Sequence, residues 1–208
     1  MAWTELGGTI LYIETRESTI DEDNPDKPGT GQLIITGSLG KVMKESVSIA
    51  QTLAKNFLHQ YFPNHKAATF FDYHDIHVHV PEGSTPKDGP SAGVTLTTAL
   101  LSLALNKPIT QNIAMTGEVT LQGKVLKIGG LKEKVLAAQR ELIKKVVVPK
   151  ENKKEFMKLP DFLKEGIEVT YVENYEDVFK VTFPDMPLSS QQDVQADSKP
   201  ISQANTLI

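Results

Sequence analysis

The sequence predicts a sheet protein with packed helices, of the α+β or α/β kind, and three observations predict it. Short segments rich in β-formers alternate apolar and polar residues. Longer segments repeat apolar residues at helical spacing. The two kinds interleave along the chain, which neither a helical bundle nor a sandwich would show. The 208 residues, 39% hydrophobic and 23% charged, suffice for one well-formed core.

In chain order, Thr9 to Thr15 alternates and reads as a strand, with Gln32 to Thr36 as its hairpin partner; between them Glu17 to Thr30, bearing Asp, Asn, Pro and Gly, reads as a mobile loop. From Lys41 to Tyr61, the residues Val42, Ile49, Leu53, Phe57 and Tyr61 recur at helical spacing while Lys44, Glu45, Gln51 and Lys55 turn outward, an amphipathic helix. Asp75 to Val80 alternates strictly, with Ile76, Val78 and Val80 on one face and His77 and His79 on the other. Val94 to Leu105 reads as a largely buried helix begun through Gly89-Pro90-Ser91; Pro90 suits a first helical turn, where its missing N–H is not needed. Ile113 to Met115 is a strand, and Val119 to Ile128 a hairpin turning at Gln122-Gly123. Gly129-Gly130 ends that pattern, and a helix runs from Leu131 to Ile143. Val146 to Val148 is a short strand ended by Pro149, Asn152 to Leu159 a helix, Ile167 to Val172 a strand and Tyr175 to Val181 a closing helix. Residues 1–186 are expected to form one domain. Residues 187–208, with few large apolar groups, are expected to be a disordered tail.

The net charge of −4, from 22 basic and 26 acidic residues, supplies no field that would gather nucleic acid or anionic lipid, so neither partner is expected. The absence of cysteine excludes disulfides, thiolate metal sites and a cysteine nucleophile. No apolar run approaches the ~20 residues that span a bilayer. The first residues lack the basic-then-apolar pattern of a secretion signal. Met1 leads almost at once into Trp3, Thr4, Glu5 and the pair Gly7-Gly8, an abrupt start that suggests a fragment of something longer.

Chemistry concentrates in Pro86-Lys87-Asp88-Gly89-Pro90-Ser91-Ala92-Gly93, which puts a hydroxyl at a helix mouth among small residues that let a substrate backbone approach. Exposed N–H groups and the helix dipole there favour an oxyanion; the plainer alternative is that Ser91 only orders the helix start. A serine nucleophile needs a base. Lys134 lies on the margin of the stripe Leu131, Val135, Ala138 and Leu142, in a first helical turn where the dipole opposes a positive charge. To work at neutral pH its pKa must fall from about 10.4 toward 7–8, roughly 4 kcal/mol, which requires a dry amine; the plainer alternative is a surface lysine. His77 and His79 face the same way and invite a metal, but no third ligand follows, and a polar face near the Ser91 loop suits them better. The Ser-x-x-Lys matches at Ser38 and Ser84 lack the companion motifs of penicillin-recognising hydrolases. No Gly-x-x-x-x-Gly-Lys-[Ser/Thr] loop occurs, so the chain carries no nucleotide motor of that kind.

The run from Pro81 to Gly93 resembles the serine signature of Lon proteases, and Met115-Thr116-Gly117-Glu118 followed by Gly129-Gly130-Leu131-Lys132-Glu133-Lys134 resembles the segment that bears their lysine. Trp3-Thr4-Glu5-x-Gly7-Gly8 is similar to the start of their proteolytic domain, so the resemblance covers residues 2–184. It implies the α+β fold of that domain, related to a ribosomal-protein-like domain. It implies a serine endopeptidase with a dyad of Ser91 as nucleophile and Lys134 as base. Thr116 would steady the amine, and His77, His79, Asp88 and Glu118 would line or support the site. No metal or cofactor is implied for this domain. ATP and Mg are implied for the full-length enzyme through an ATPase module that, with a substrate-binding region, lies outside this chain. The resemblance further implies unfolded or damaged proteins as substrates, protein quality control as the role, a homo-hexamer, and a bacterial cytoplasmic setting with the mitochondrial matrix as the alternative. Two rival readings are a catalytically silent assembly platform and a metal-dependent hydrolase built on His77 and His79.

Overall fold

Two hydrophobic cores lie on opposite faces of a short parallel sheet, and the alternation of one strand shows how. In the strand Lys145–Pro149, Val147 faces the larger core while Val146 and Val148 face the smaller. A computed structural model of the chain describes residues 1–4, 7–18 and 29–188. Residues 19–28 of the expected mobile loop and 189–208 of the expected tail lie outside the described residues.

The elements in order are β1 (Ala2–Thr4), β2 (Gly7–Thr9), β3 (Glu14–Glu17), β4 (Leu33–Thr36), α1 (Lys41–Tyr61), α2 (Phe70–Tyr73) and β5 (Ile76–His79). A 3-10 turn (Pro90–Ala92) leads into α3 (Gly93–Leu105), then β6 (Ile113–Met115), β7 (Glu118–Val119), β8 (Val125–Leu126), α4 (Leu131–Arg140) and β9 (Lys145–Pro149). A second 3-10 turn (Lys150–Asn152) precedes α5 (Lys153–Met157), α6 (Asp161–Lys164), β10 (Glu168–Val172) and α7 (Tyr175–Thr182). The mixture is α+β, as expected. Two sheets organise it: β10-β9-β6, all parallel, and β3-β5-β4, with β3 antiparallel and β4 parallel to β5. Among the described residues no helix is long and apolar enough to cross a membrane.

The expected hairpin of Thr9 to Thr15 with Gln32 to Thr36 does not form, because β5 lies between the two segments. Ile76 and Val78 are fully buried, so the most deeply buried strand of the three takes the central place. Asp75 Oδ1 accepts the N–H groups of Thr30 and Gln32, both at 2.8 Å, and ties the start of β4 beside it. The first segment also breaks between β2 and β3, where Ile10 packs on the smaller core and Leu11 and Ile13 on the larger.

Helix α1 has the expected bounds, but its buried stripe runs through Met43, Val47, Ala50, Leu53, Ala54, Phe57 and Leu58, leaving Val42 42% exposed. In α3, Thr97 and Thr98 are buried and spend their hydroxyls on the carbonyls of Gly93 (2.9 Å) and Val94 (2.8 Å). Helix α4 stops three residues earlier than the expected Ile143. Leu142 takes a left-handed φ of 55° and is 79% exposed, so it leaves the apolar stripe. Helix α7 starts in a capping box of Asn174 and Asp177.

Candidate active site

Ser91 is placed from both sides of its own turn. Gly89, at φ 115°, brings the chain to Pro90, which opens the 3-10 turn, and Ser91 follows half-buried at the N-terminal end of α3. The Ser91 carbonyl accepts the Gly117 N–H at 2.8 Å, and the Gly117 carbonyl accepts the Val94 N–H at 3.0 Å. A Cβ on Gly117 would lie 2.8 Å from Val125 Cγ1 and 2.9 Å from Val94 Cγ1, so this stitching needs a glycine.

Lys134 approaches from the other core. Leu131, Val135 and Ala138 bury one stripe of α4, and the lysine beside them is itself only 1% exposed. Its Nζ stands 3.0 Å from Ser91 Oγ and 3.1 Å from Thr116 Oγ1. Thr116 is fully buried and its hydroxyl donates to the Ser91 carbonyl at 3.3 Å. With its one hydrogen spent there, Thr116 can only accept from the amine, which leaves the lone pair of a neutral Lys134 free to face Ser91. Burial pushes the Lys134 amine down to about 8, partly offset by the charge of Glu155.

These three residues meet at the carboxyl end of β6. Met115 closes the strand, Thr116 follows it, α3 packs on the larger core and α4 on the smaller. Neither helix alone could bring hydroxyl and amine together.

The other expected residues sit differently. Asp88 Oδ1 accepts the Met43 N–H at 2.8 Å and the Gly89 N–H at 2.9 Å, so it caps the start of α1. The close approach needs Gly40, where a Cβ would lie 2.3 Å from Asp88 Cγ. Glu118 is half-buried on β7 and its carboxylate has no hydrogen-bond or ion-pair partner among the described residues. His77 Nε2 and His79 Nδ1 both meet Thr36 Oγ1, at 2.9 and 2.7 Å, and neither bonds to the dyad. They border a cleft of about 1060 Å³ that is also lined by Tyr12, Thr95 and Met115, but not by Ser91 or Lys134 themselves. Of the N–H groups expected to await an oxyanion, that of Gly89 is held by Asp88 and that of Gly93 by the Pro90 carbonyl. The end of the α3 dipole remains at Ser91. Sequence reasoning missed Thr36 and Glu155, which act on groups distant in the chain, and the role of Lys87, which joins two nearby carbonyls to the distant one of Gly37 in a way no local pattern marks.

Among the described residues no group of three or more His, Asp or Glu side chains could hold a metal ion.

The family description that matches is the Lon protease (S16) C-terminal proteolytic domain, over residues 1–185. The chain is 50% identical over 197 residues to a Drosophila melanogaster protein named Lon protease homolog, mitochondrial, covering 94% of this chain and 19% of the relative. To the protein of that name in Bos taurus it is 53% identical over 188 residues, and to that in Homo sapiens 50% over 185 residues, in each case covering 89% of this chain and 19% of the relative. The match thus spans 19% of the length of these relatives. A buried lysine amine beside a serine hydroxyl at a helix mouth, in a sequence matched along 1–185, places the chain in the Lon protease family, as its C-terminal proteolytic domain.

Proposed function

We propose that this chain hydrolyses peptide bonds through an acyl-enzyme formed on Ser91, with Lys134 as general base. The observation that carries the reading is the 3.0 Å contact between Ser91 Oγ and a buried Lys134 Nζ whose pKa is lowered to about 8. The neutral amine takes the Ser91 proton as Oγ bonds to the substrate carbonyl carbon. Negative charge develops on the carbonyl oxygen near the positive end of the α3 dipole. As the C–N bond breaks, the Lys134 ammonium returns the proton to the leaving amine. Water then attacks the ester, giving a proton to Lys134, and the carboxylate product leaves as Ser91 regains its hydrogen. Thr116 keeps the amine aimed; Asp88 fixes the loop that carries Ser91.

Polypeptides are the substrates, unfolded or damaged ones in the full-length protein, where an ATPase module unfolds and delivers them and six copies assemble into a ring. The relatives' names say mitochondrial, which favours a mitochondrial setting over a bacterial cytoplasm, and the matrix is the compartment proposed. The test is a pH–rate profile for cleavage of an unstructured peptide. Activity is expected to rise with pH through a limb near 8, where Lys134 loses its proton, and to vanish in Lys134→Ala and Ser91→Ala. A Ser91→Ala variant with undiminished activity would sink the proposal.

A further inference from the structure

Lys87 lies outside the dyad and is only 6% exposed. Its Nζ donates to three backbone carbonyls, those of Glu82 at 2.6 Å, Thr85 at 3.0 Å and Gly37 at 3.1 Å. Three donations from one nitrogen require the protonated amine. No carboxylate pairs with it among the described residues. A buried charge without a counter-ion is costly unless fixed dipoles replace its water, and the backbone is bent to supply them. Gly37 has a φ of 118° and Glu82, a non-glycine, a φ of 66°. A Cβ on Gly37 would lie 2.1 Å from the Val80 carbonyl oxygen.

From this nitrogen a series of anchors leads to Ser91. The Lys87 N–H donates to the Ser38 carbonyl at 3.1 Å and the Lys87 carbonyl accepts the Gly40 N–H at 2.7 Å. Asp88 then caps α1 through Met43, Ser46 Oγ donates to the Pro90 carbonyl at 3.4 Å, and Gly117 holds the Ser91 carbonyl. Residues 82–86, upstream of Lys87, are exposed. The ammonium is the group that gathers this stretch onto the β4–α1 turn.

We infer that Lys87 is a positioning residue. Its ammonium serves as a built-in monovalent cation around which the 82–86 stretch folds, and so presents Ser91 to Lys134 at hydrogen-bond distance. The inference rests on Ser91 and Lys134 being the peptidase dyad.

The experiment compares wild type, Lys87→Ala, Lys87→Met and Ser91→Ala on an unstructured fluorogenic peptide, with competent sites counted by a serine-directed fluorophosphonate. In both Lys87 variants kcat per titrated site is expected to fall at least about tenfold while KM stays within about twofold. Ammonium or methylammonium ion at about 0.1 M is expected to restore much of the loss in Lys87→Ala but not in Lys87→Met, whose side chain fills the space. A merely structural lysine would lower the number of competent sites and leave turnover per site unchanged. Should Lys87→Ala not fold, Lys87→Met carries the rate comparison. Wild-type turnover per site in Lys87→Met, or no recovery by either cation in folded Lys87→Ala, overturns the inference. A wild type that cleaves no peptide, or an active Ser91→Ala, overturns the dyad reading and this inference with it.

Discussion

Lys134 destabilises the fold it serves. Its amine titrates at 10.5 in an unfolded chain and at about 8 here, so between those values the unfolded state binds more protons, and the residue's contribution to stability rises with pH. Below about 8 the full penalty stands, on the order of 3 kcal/mol. Lys134→Met removes that penalty and also two hydrogen bonds worth about 1 kcal/mol each. Denaturant unfolding at pH 7 is therefore expected to show the variant more stable than wild type by about 1 kcal/mol, with the order reversed well above pH 10.5, where wild-type Lys134 is neutral in both states. A variant less stable at pH 7 would mean that the amine is not held dry. Thr36 makes a related point about single residues. Its hydroxyl has one hydrogen, so at most one of His77 and His79 accepts from it and at least one ring donates to it, and both rings are held by a residue with no motif of its own.

Among the elements, the β1–β2 hairpin sets the position of the lysine. Gly8, in β2, lies so close to α4 that a Cβ would stand 1.9 Å from the Glu133 carbonyl oxygen and 3.2 Å from Ala137 Cβ, and Arg140 Nη2 donates to the Gly8 carbonyl at 2.7 Å. The approached carbonyl belongs to the residue before Lys134. Gly8→Ala must push the first turn of α4 away, by about 1.5 Å, to reach ordinary contact. Ser91 would be left where it is. A displacement of that size is expected to lower kcat by about 100-fold, with KM little changed and Ser91 still present at its helix mouth. Steady-state kinetics on a short peptide would check this; a variant with wild-type kcat would show that the hairpin has no hold on the lysine. Helix α1 depends on another segment in the same way, since the carboxylate that caps it comes from Asp88.

At the scale of the molecule, the two cores meet where Ser91 Oγ and Lys134 Nζ come together, and the proposed chemistry needs both. This chain is expected to cut unstructured peptides without nucleotide and to leave a stable folded protein intact over the same period, because in the proposed function unfolding belongs to the ATPase module of the full-length protein. Gel electrophoresis of a casein-like and a tightly folded substrate, incubated side by side, would decide; rapid loss of the folded one would contradict the expectation. Periodicity and local spacing were enough for α1, α3, β5, β9, β10 and α7, because each element buries a face that its own residues define. A small-residue helix mouth and a lysine on an apolar margin are local facts that marked Ser91 and Lys134 as candidates, and the resemblance to Lon proteases joined the two. Tertiary structure alone decided that β5 would part the expected hairpin, that Leu142 would leave its helix, that Asp88 would cap α1 and that Lys87 would bind three carbonyls. Those outcomes depend on which distant backbone groups lack partners once the apolar faces are buried, and a sequence records the faces but not the groups left over.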